Sequence, residues 1–244
     1  MTLTEAIDIR RSRRKYLAGP IEETDVKKLQ KLIDEFNIIG DIRMEFVHHN
    51  GNAFGGLRKS YGLFSGVQNY VMLIADKSDM TVIERLGYYG ELLLLNAVAM
   101  GFGTCWVGGS FDRKLCPVQL FGNELIICTI TIGYAAGQLG TREKFIHGIT
   151  HRKTKSIEDM MSADPATAPV PDWFMNGMKA VQKAPSAVNR QPVVFTWKDG
   201  RAFAGVKDYS DISTVLDFGI AKQHFELAAG RGKWNFGNNA EFIF

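Results

Sequence analysis

Three short segments concentrate residue types that suit a charged, planar ligand. The first is Arg10-Arg11-Ser12-Arg13-Arg14-Lys15-Tyr16, with five cations around one serine. Guanidinium forks bind phosphate oxygens in pairs and a serine adds a donor, so a phosphate-bearing ligand is one reading. A solvated basic face or a nonspecific nucleic-acid patch is the other. Aromatic residues are not interleaved between Arg10 and Lys15, which ranks nucleic acid low. The second segment, Gly101-Phe102-Gly103-Thr104-Cys105-Trp106-Val107-Gly108-Gly109, follows a leucine-rich stretch. A helix C-cap accounts for Gly101 and Gly103, whereas Gly108 and Gly109 give a backbone that a flat ring can approach closely. The third, Ala184-Pro185-Ser186-Ala187-Val188-Asn189-Arg190-Gln191-Pro192, places Ser186, Asn189 and Gln191 on a connector fixed by two prolines. Those side chains can meet the carbonyls and ring nitrogens of a heterocycle, although Ser and Asn are also ordinary turn residues.

The rest of the composition bounds what these segments can be. The 244 residues are 45% hydrophobic and 23% charged, the balance of a globular protein with a core of its own. Net charge is only +3, so an anion site must be local rather than part of a global field. Cys105, Cys116 and Cys128 form no CxxC pair, so neither a disulfide framework nor a metal site is expected, and the thiols read as buried and reduced. The start, Met1-Thr2-Leu3-Thr4-Glu5, lacks the basic residues of a secretory signal, and no apolar run is long enough to span a bilayer. A cytoplasmic protein without membrane or nucleic-acid partners is expected.

The elements that must position the three segments follow from periodicity. A helix is predicted from Thr2 or Thr4 to about Arg14, and a second from Glu22 to Phe36 with Ile21, Val26, Leu29, Leu32, Ile33 and Phe36 on one face. Strands are predicted at Met44 to His48, Tyr70 to Ala75, Leu125 to Gly133 (the best central strand) and Val193 to Trp197, with a further helix over Asp172 to Lys183. Asn50-Gly51 and Asp199-Gly200 follow two of these strands and read as tight hairpin turns.

Two landmarks recur in the same order. Gly90, Gly101 and Gly103 answer Gly219, Gly230 and Gly232 at a spacing of 129, and residues 50–56 answer 199–205 at a spacing of 149. Each helical stretch is read as opening on Gly90 or Gly219. The first half then carries about twenty extra residues, including the run from Tyr70 to Ala75. Shared punctuation by chance is the plainer explanation; the shared order favours duplication. The boundary is expected in the proline-rich stretch Ala163 to Pro171, dividing the chain into 1–162 and a shortened 163–244.

Taken together, the RRS-x-R run, the PS-x-x-N-x-QP loop and the LLLNA-x-x-x-G-x-GTCW-x-GG segment resemble the FMN-dependent nitroreductase family. The resemblance implies an α+β fold with antiparallel-rich central sheets flanked by helices, and an FMN site shared between two related subunits. Carried over motif by motif, Arg10, Arg11, Ser12 and Arg14 would hold the phosphate end, and Gly108 and Gly109 would offer backbone beside flavin N5. Pro185, Ser186 and Asn189 would close the site, and Arg152 and Lys153 would add positive charge near the phosphate. This chain departs from the family in carrying the PS-x-x-N loop in its second half, with no RRS before it there. The resemblance therefore implies a fused pseudo-dimer in which one flavin site survives per chain, existing as a monomer or a weak homodimer. Its activity would be NADH- or NADPH-dependent reduction of a small acceptor such as a nitroaromatic or quinone, by ping-pong hydride transfer with no catalytic side chain required. An FMN-binding sensor or carrier without turnover is the alternative.

Overall fold

The computed structural model describes residues 1–55, 63–138, 148, 154–163 and 169–244. The chain forms two compact units. One comprises Met1–Asp79 with Leu92–Ile149, the other Met80–Glu91 with Thr150–Phe244.

In the first unit, helix α1 (Leu3–Ile9) opens with a capping box between Thr2 and Glu5. It stops at Arg10 rather than running to Arg14: φ −52°, ψ 130° at Arg10 starts an extended segment. That segment trades helical bonds for bridges to strands, Ser12 with Thr104, Lys15 with Ser65 and Tyr16 with Ala135. Helix α2 (Glu23–Gly40) buries Val26, Leu29, Ile33 and Phe36, the predicted face with Leu32 at its margin, and ends at Asp41 in the left-handed region.

The first sheet contains β1 (Arg43–Val47), β2 (Asn69–Asp76), β3 (Gly103–Val107) and β4 (Glu124–Gly133), in the order β1-β2-β4-β3 and antiparallel throughout. The interior strands β2 and β4 are buried almost end to end, as strands covered on both faces should be. Beside this sheet lie Tyr16, Phe54, Phe64, Tyr70, Cys105, Phe111 and Cys116, the core of this unit. All three cysteines are buried, as expected, and none is in a disulfide.

The second unit contains β5 (Met161–Ala163), β6 (Val193–Lys198), β7 (Arg201–Val206), β8 (Lys233–Trp234) and β9 (Ala240–Ile243). Their order is β5-β6-β7-β9-β8, with β5 parallel to β6 and the other pairs antiparallel. Helices α4 (Ile157–Met160), α5 (Asp172–Val181) and α6 (Ile212–Ala229) complete it. Its core is aromatic: Phe225 is in ring contact with Phe174, Phe195, Trp234 and Phe242, and Phe195 stacks on it at 5.0 Å.

Helix α3 (Met80–Ala99) is divided between the units after Glu91. Both units thus use the sequence helix, strand, strand, helix, strand, strand. The first reads α2-β1-β2-α3-β3-β4 and the second α5-β6-β7-α6-β8-β9, with the same sheet order β1-β2-β4-β3 and β6-β7-β9-β8.

The structure relocates some of the landmarks. Asp199 (φ 52°) and Gly200 (φ 72°) do form the two-residue hairpin between β6 and β7. Asn50-Gly51 does not. Gly51 has φ −92°, and a Cβ there would lie 1.7 Å from the Val67 carbonyl, so this glycine serves close backbone approach before a 3₁₀ turn at Asn52–Phe54. The run from Tyr70 to Ala75 is accordingly not an insertion. It lies in β2, the counterpart of β7 in sheet order, and the extra length sits between β1 and β2.

Gly90 and Gly219 lie inside helices rather than at their starts. Gly219 is one half of a reciprocal crossing: a Cβ on Gly219 would stand 2.0 Å from the Glu84 carbonyl, and one on Gly87 2.1 Å from the Leu216 carbonyl. The contacts repeat under exchange, Gly87 with the residue three before Gly219 and Gly219 with the residue three before Gly87. Gly87, 132 positions before Gly219, rather than Gly90 is the glycine that meets it in this crossing.

A buried ion pair and a buried histidine hydrogen bond tie the helices of the second unit. Lys222 on α6 donates to Glu84 and to the Asn235 carbonyl, and Tyr209 and the Gly237 N–H also donate to Glu84. His224 lies between Glu91 and the Ala180 carbonyl. Burial lowers the Lys222 pKa, against the pull of Glu84.

Candidate functional site

In the first unit the basic motif and the glycine segment come together through backbone. The Arg13 N–H donates to the Thr104 carbonyl at 2.8 Å beside the Ser12–Thr104 bridge, so residues 12–13 cover the edge of β3. Tyr16 pins the far end: it is buried, its hydroxyl donates to the Arg13 carbonyl at 2.9 Å, and it lies 2.6 Å from Thr131 Oγ1.

The arginines differ in what they touch. Arg11 is exposed and donates to the carbonyls of Asp8 and Arg10, closing the C-terminal turn of α1, where positive charge is favoured. Arg13 donates to the Gln138 carbonyl. Arg10 and Arg14 are partly buried, with Nε and Nη1 of Arg10 inside the protein. Thr104 is fully buried, and its Oγ1 has no hydrogen-bond partner among the described residues, an unmet polar atom next to the basic motif.

Strand β3 leads straight into Gly108 and Gly109, both exposed. Among the described residues a Cβ at either position would meet nothing within 4 Å, so packing against them does not explain the missing side chains. The Gly108 carbonyl accepts from Arg113, which fixes the turn. An open glycine pair beside a basic segment and an unmet hydroxyl fits a phosphate-bearing cofactor with a flat ring.

In the second unit Pro185, Ser186 and Asn189 stand together on the loop between α5 and β6, which contains a 3₁₀ turn at Ala187–Asn189. Its backbone is strained. Val188, Asn189 and Gln191 have φ of 48°, 54° and 48°, a conformation that costs a non-glycine residue roughly 1–2 kcal/mol. Three anchors hold it. Ser186 Oγ accepts from the Gln191 N–H at 3.0 Å, Lys155 Nζ donates to the Gln191 carbonyl at 2.9 Å, and the Ala187 N–H donates to both carboxylate oxygens of Asp217 at 3.0 and 2.9 Å. A cavity of about 10 Å³, the size of one water molecule, lies among Met160, Val181, Ser186, Gln191, Asp217 and Ala221.

Asp217 is 5% exposed. Burial pushes its carboxyl up to about 7, while the Ala187 N–H and Arg190 pull it down and Asp211 raises it. Asp217 and Lys155 were not among the predicted site residues; the signal for the first was a charge inside the apolar run Val215-Leu216-Asp217-Phe218. Arg152 and Lys153 lie outside the described residues, as does 164–168 of the predicted linker. Among the described residues no group of His, Cys, Asp or Glu could hold a metal ion, and no helix is long and apolar enough to cross a membrane.

A family model described as "Putative TM nitroreductase" matches residues 2–229. Among solved structures, one described as a "putative nitroreductase" from Thermotoga maritima is 20% identical, covers 99% of this chain and 92% of its own, and superimposes with a TM-score of 0.66. An FMN-dependent nitroreductase from Clostridium difficile is 20% identical over 61% of this chain and 97% of its own, with a TM-score of 0.44. A nitroreductase family protein from the same organism is 16% identical over 62% and 94%, with a TM-score of 0.46. No curated protein matches the chain.

Proposed function

Because the chain belongs to the nitroreductase family whose model spans residues 2–229, we propose that it is an FMN-binding oxidoreductase drawing on NADH or NADPH. The observation that carries this reading is the extended basic segment laid along the edge of the strand that delivers Gly108 and Gly109. FMN held there by Arg10, Ser12, Arg14, Gly108, Gly109 and the 185–189 loop would supply the redox chemistry for hydride transfer between a nicotinamide and a small acceptor such as a nitroaromatic or quinone.

The protein's own residues bind and orient. Arg10, Ser12 and Arg14 hold the phosphate by charge-assisted hydrogen bonds, and Arg152 and Lys153 add positive charge. Gly108 and Gly109 leave room for the ring. Pro185, Ser186 and Asn189 contribute polar contacts from a backbone fixed in advance, which spares the ordering cost on binding. Arg11, engaged with the end of α1, has the smallest part. The matching element orders of the two units support an internal duplication, with the RRS motif kept in one half and the PS-x-x-N loop in the other.

Purification with FMN tests the reading. A yellow protein whose flavin spectrum bleaches under anaerobic NADH or NADPH and returns on adding a quinone is expected. A chain that takes up FMN but does not bleach is a carrier or sensor, and one that takes up no FMN refutes the proposal.

A further inference from the structure

We propose that Asp217 is the positioning residue of the 185–191 loop: its carboxylate holds the Ala187 N–H and thereby keeps Ser186 and Asn189 in the conformation that serves FMN. The ligand half of this inference rests on the flavin reading above; the positioning half stands on the loop's own geometry.

A β-branched residue in the left-handed region persists only where its surroundings over-determine it, and here Val188 is followed by two more left-handed residues within three positions. The loop cannot supply that constraint alone. Its internal bonds run from the Asn189 N–H to the Ser186 carbonyl, the Arg190 N–H to the Ala187 carbonyl, the Gln191 N–H to Ser186 Oγ and Gln191 Nε2 to the Asn189 carbonyl; the Ala187 N–H takes part in none of these and is bonded from outside the loop. Asp217 bonds it from α6, a helix with its own N-cap at Asp211 and a buried body.

The position is a costly one for a carboxylate. Asp217 is buried and lines a small cavity together with the apolar residues Met160 of α4, Val181 of α5, Val193 of β6 and Ala221 of α6. Arg190 and Asp211 are the charged groups that act on it, and Lys155 nearby is engaged by the Gln191 carbonyl. A buried acceptor of this kind is retained where its hydrogen bond is needed, and the bond it makes is to the backbone of the PS-x-x-N loop.

The test uses the full chain without flavin for amide exchange of residues 187–191, and FMN titration followed by fluorescence for affinity. Asp217→Ala should speed exchange of the loop amides about tenfold or more and raise the FMN Kd by a similar factor, the effect of losing a hydrogen bond to a charged group. Asp217→Asn retains an acceptor of the same size and should return both readouts to within about threefold of the parent, which a purely volumetric role would not require. Should Asp217→Ala fail to fold, Asp217→Leu carries the same expectation. Parent-like exchange in the apolar variant, or an Asn variant as impaired as the Ala variant, overturns the positioning role. Asn189→Ala separates the two claims. If it leaves FMN affinity unchanged while Asp217→Ala loosens the loop, the flavin reading of the loop is wrong, and the assignment to FMN falls with it.

Discussion

Arg10 and Asn189 stand 179 positions apart in the sequence, and the flavin reading makes both of them ligands of one cofactor. Arg10→Ala should therefore raise the FMN Kd by about ten- to a hundredfold, the loss of a charge-assisted contact of roughly 1.5–3 kcal/mol, and Asn189→Ala by a smaller factor. Fluorescence titration of both variants decides it, and an effect confined to one of them would leave the other motif without a role in binding. Asp217 offers an independent observable. Its carboxyl titrates at about 7 in the folded chain against 3.8 without the fold, because burial disfavours the carboxylate more than the Ala187 N–H and Arg190 favour it. The folded state then binds more protons than the unfolded state across that window, so the contribution to stability is full at the acid end and is lost as pH rises through about 7. Urea unfolding of the apo chain should give a lower midpoint near pH 8 than near pH 5, and Asp217→Asn should remove that part of the difference. The same pH dependence in both proteins would show that other groups cause it.

At the scale of elements, two kinds of glycine separate stability from binding. A Cβ on Gly219 would lie 2.0 Å from the Glu84 carbonyl and 2.7 Å from the Tyr88 nitrogen, backbone atoms that cannot rotate away. Gly219→Ala should force the crossing helices apart and cost about 1–3 kcal/mol or more, read as a lower thermal midpoint. Gly108→Ala meets nothing within 4 Å among the described residues and should leave the midpoint of the apo chain nearly unchanged while weakening FMN binding. If both variants lowered stability alike, the 108–109 turn would be structural after all. The end of α1 belongs to this scale too. Periodicity carried that helix to Arg14, yet Arg10 turns extended because residues 12–16 find partners at Thr104, Ser65 and Ala135, a tertiary gain that local propensity cannot see.

For the whole molecule, a fused pair of halves with one surviving flavin motif set predicts one FMN per chain and a monomer of 27.2 kDa in solution. Sedimentation with simultaneous absorbance at protein and flavin wavelengths measures both, and two flavins per chain would refute the single-site reading. The sequence by itself determined the elements whose signal is local. The buried stripe from Val26 to Phe36, the central strand at Glu124–Gly133 and the Asp199-Gly200 hairpin were all legible there, because periodicity and turn stereochemistry act between near neighbours. The motif triplet also pointed to the family. What only the tertiary structure decided were features made by close approach of segments distant in sequence. Gly51 looked like a turn residue and is a point of contact with the Val67 carbonyl, and Gly87 rather than Gly90 pairs with Gly219. Asp217, which the sequence reading did not single out, holds the Ala187 N–H. Glycine spacing and a lone buried charge state that a constraint exists, but the partner that imposes it is fixed only when the chain has folded.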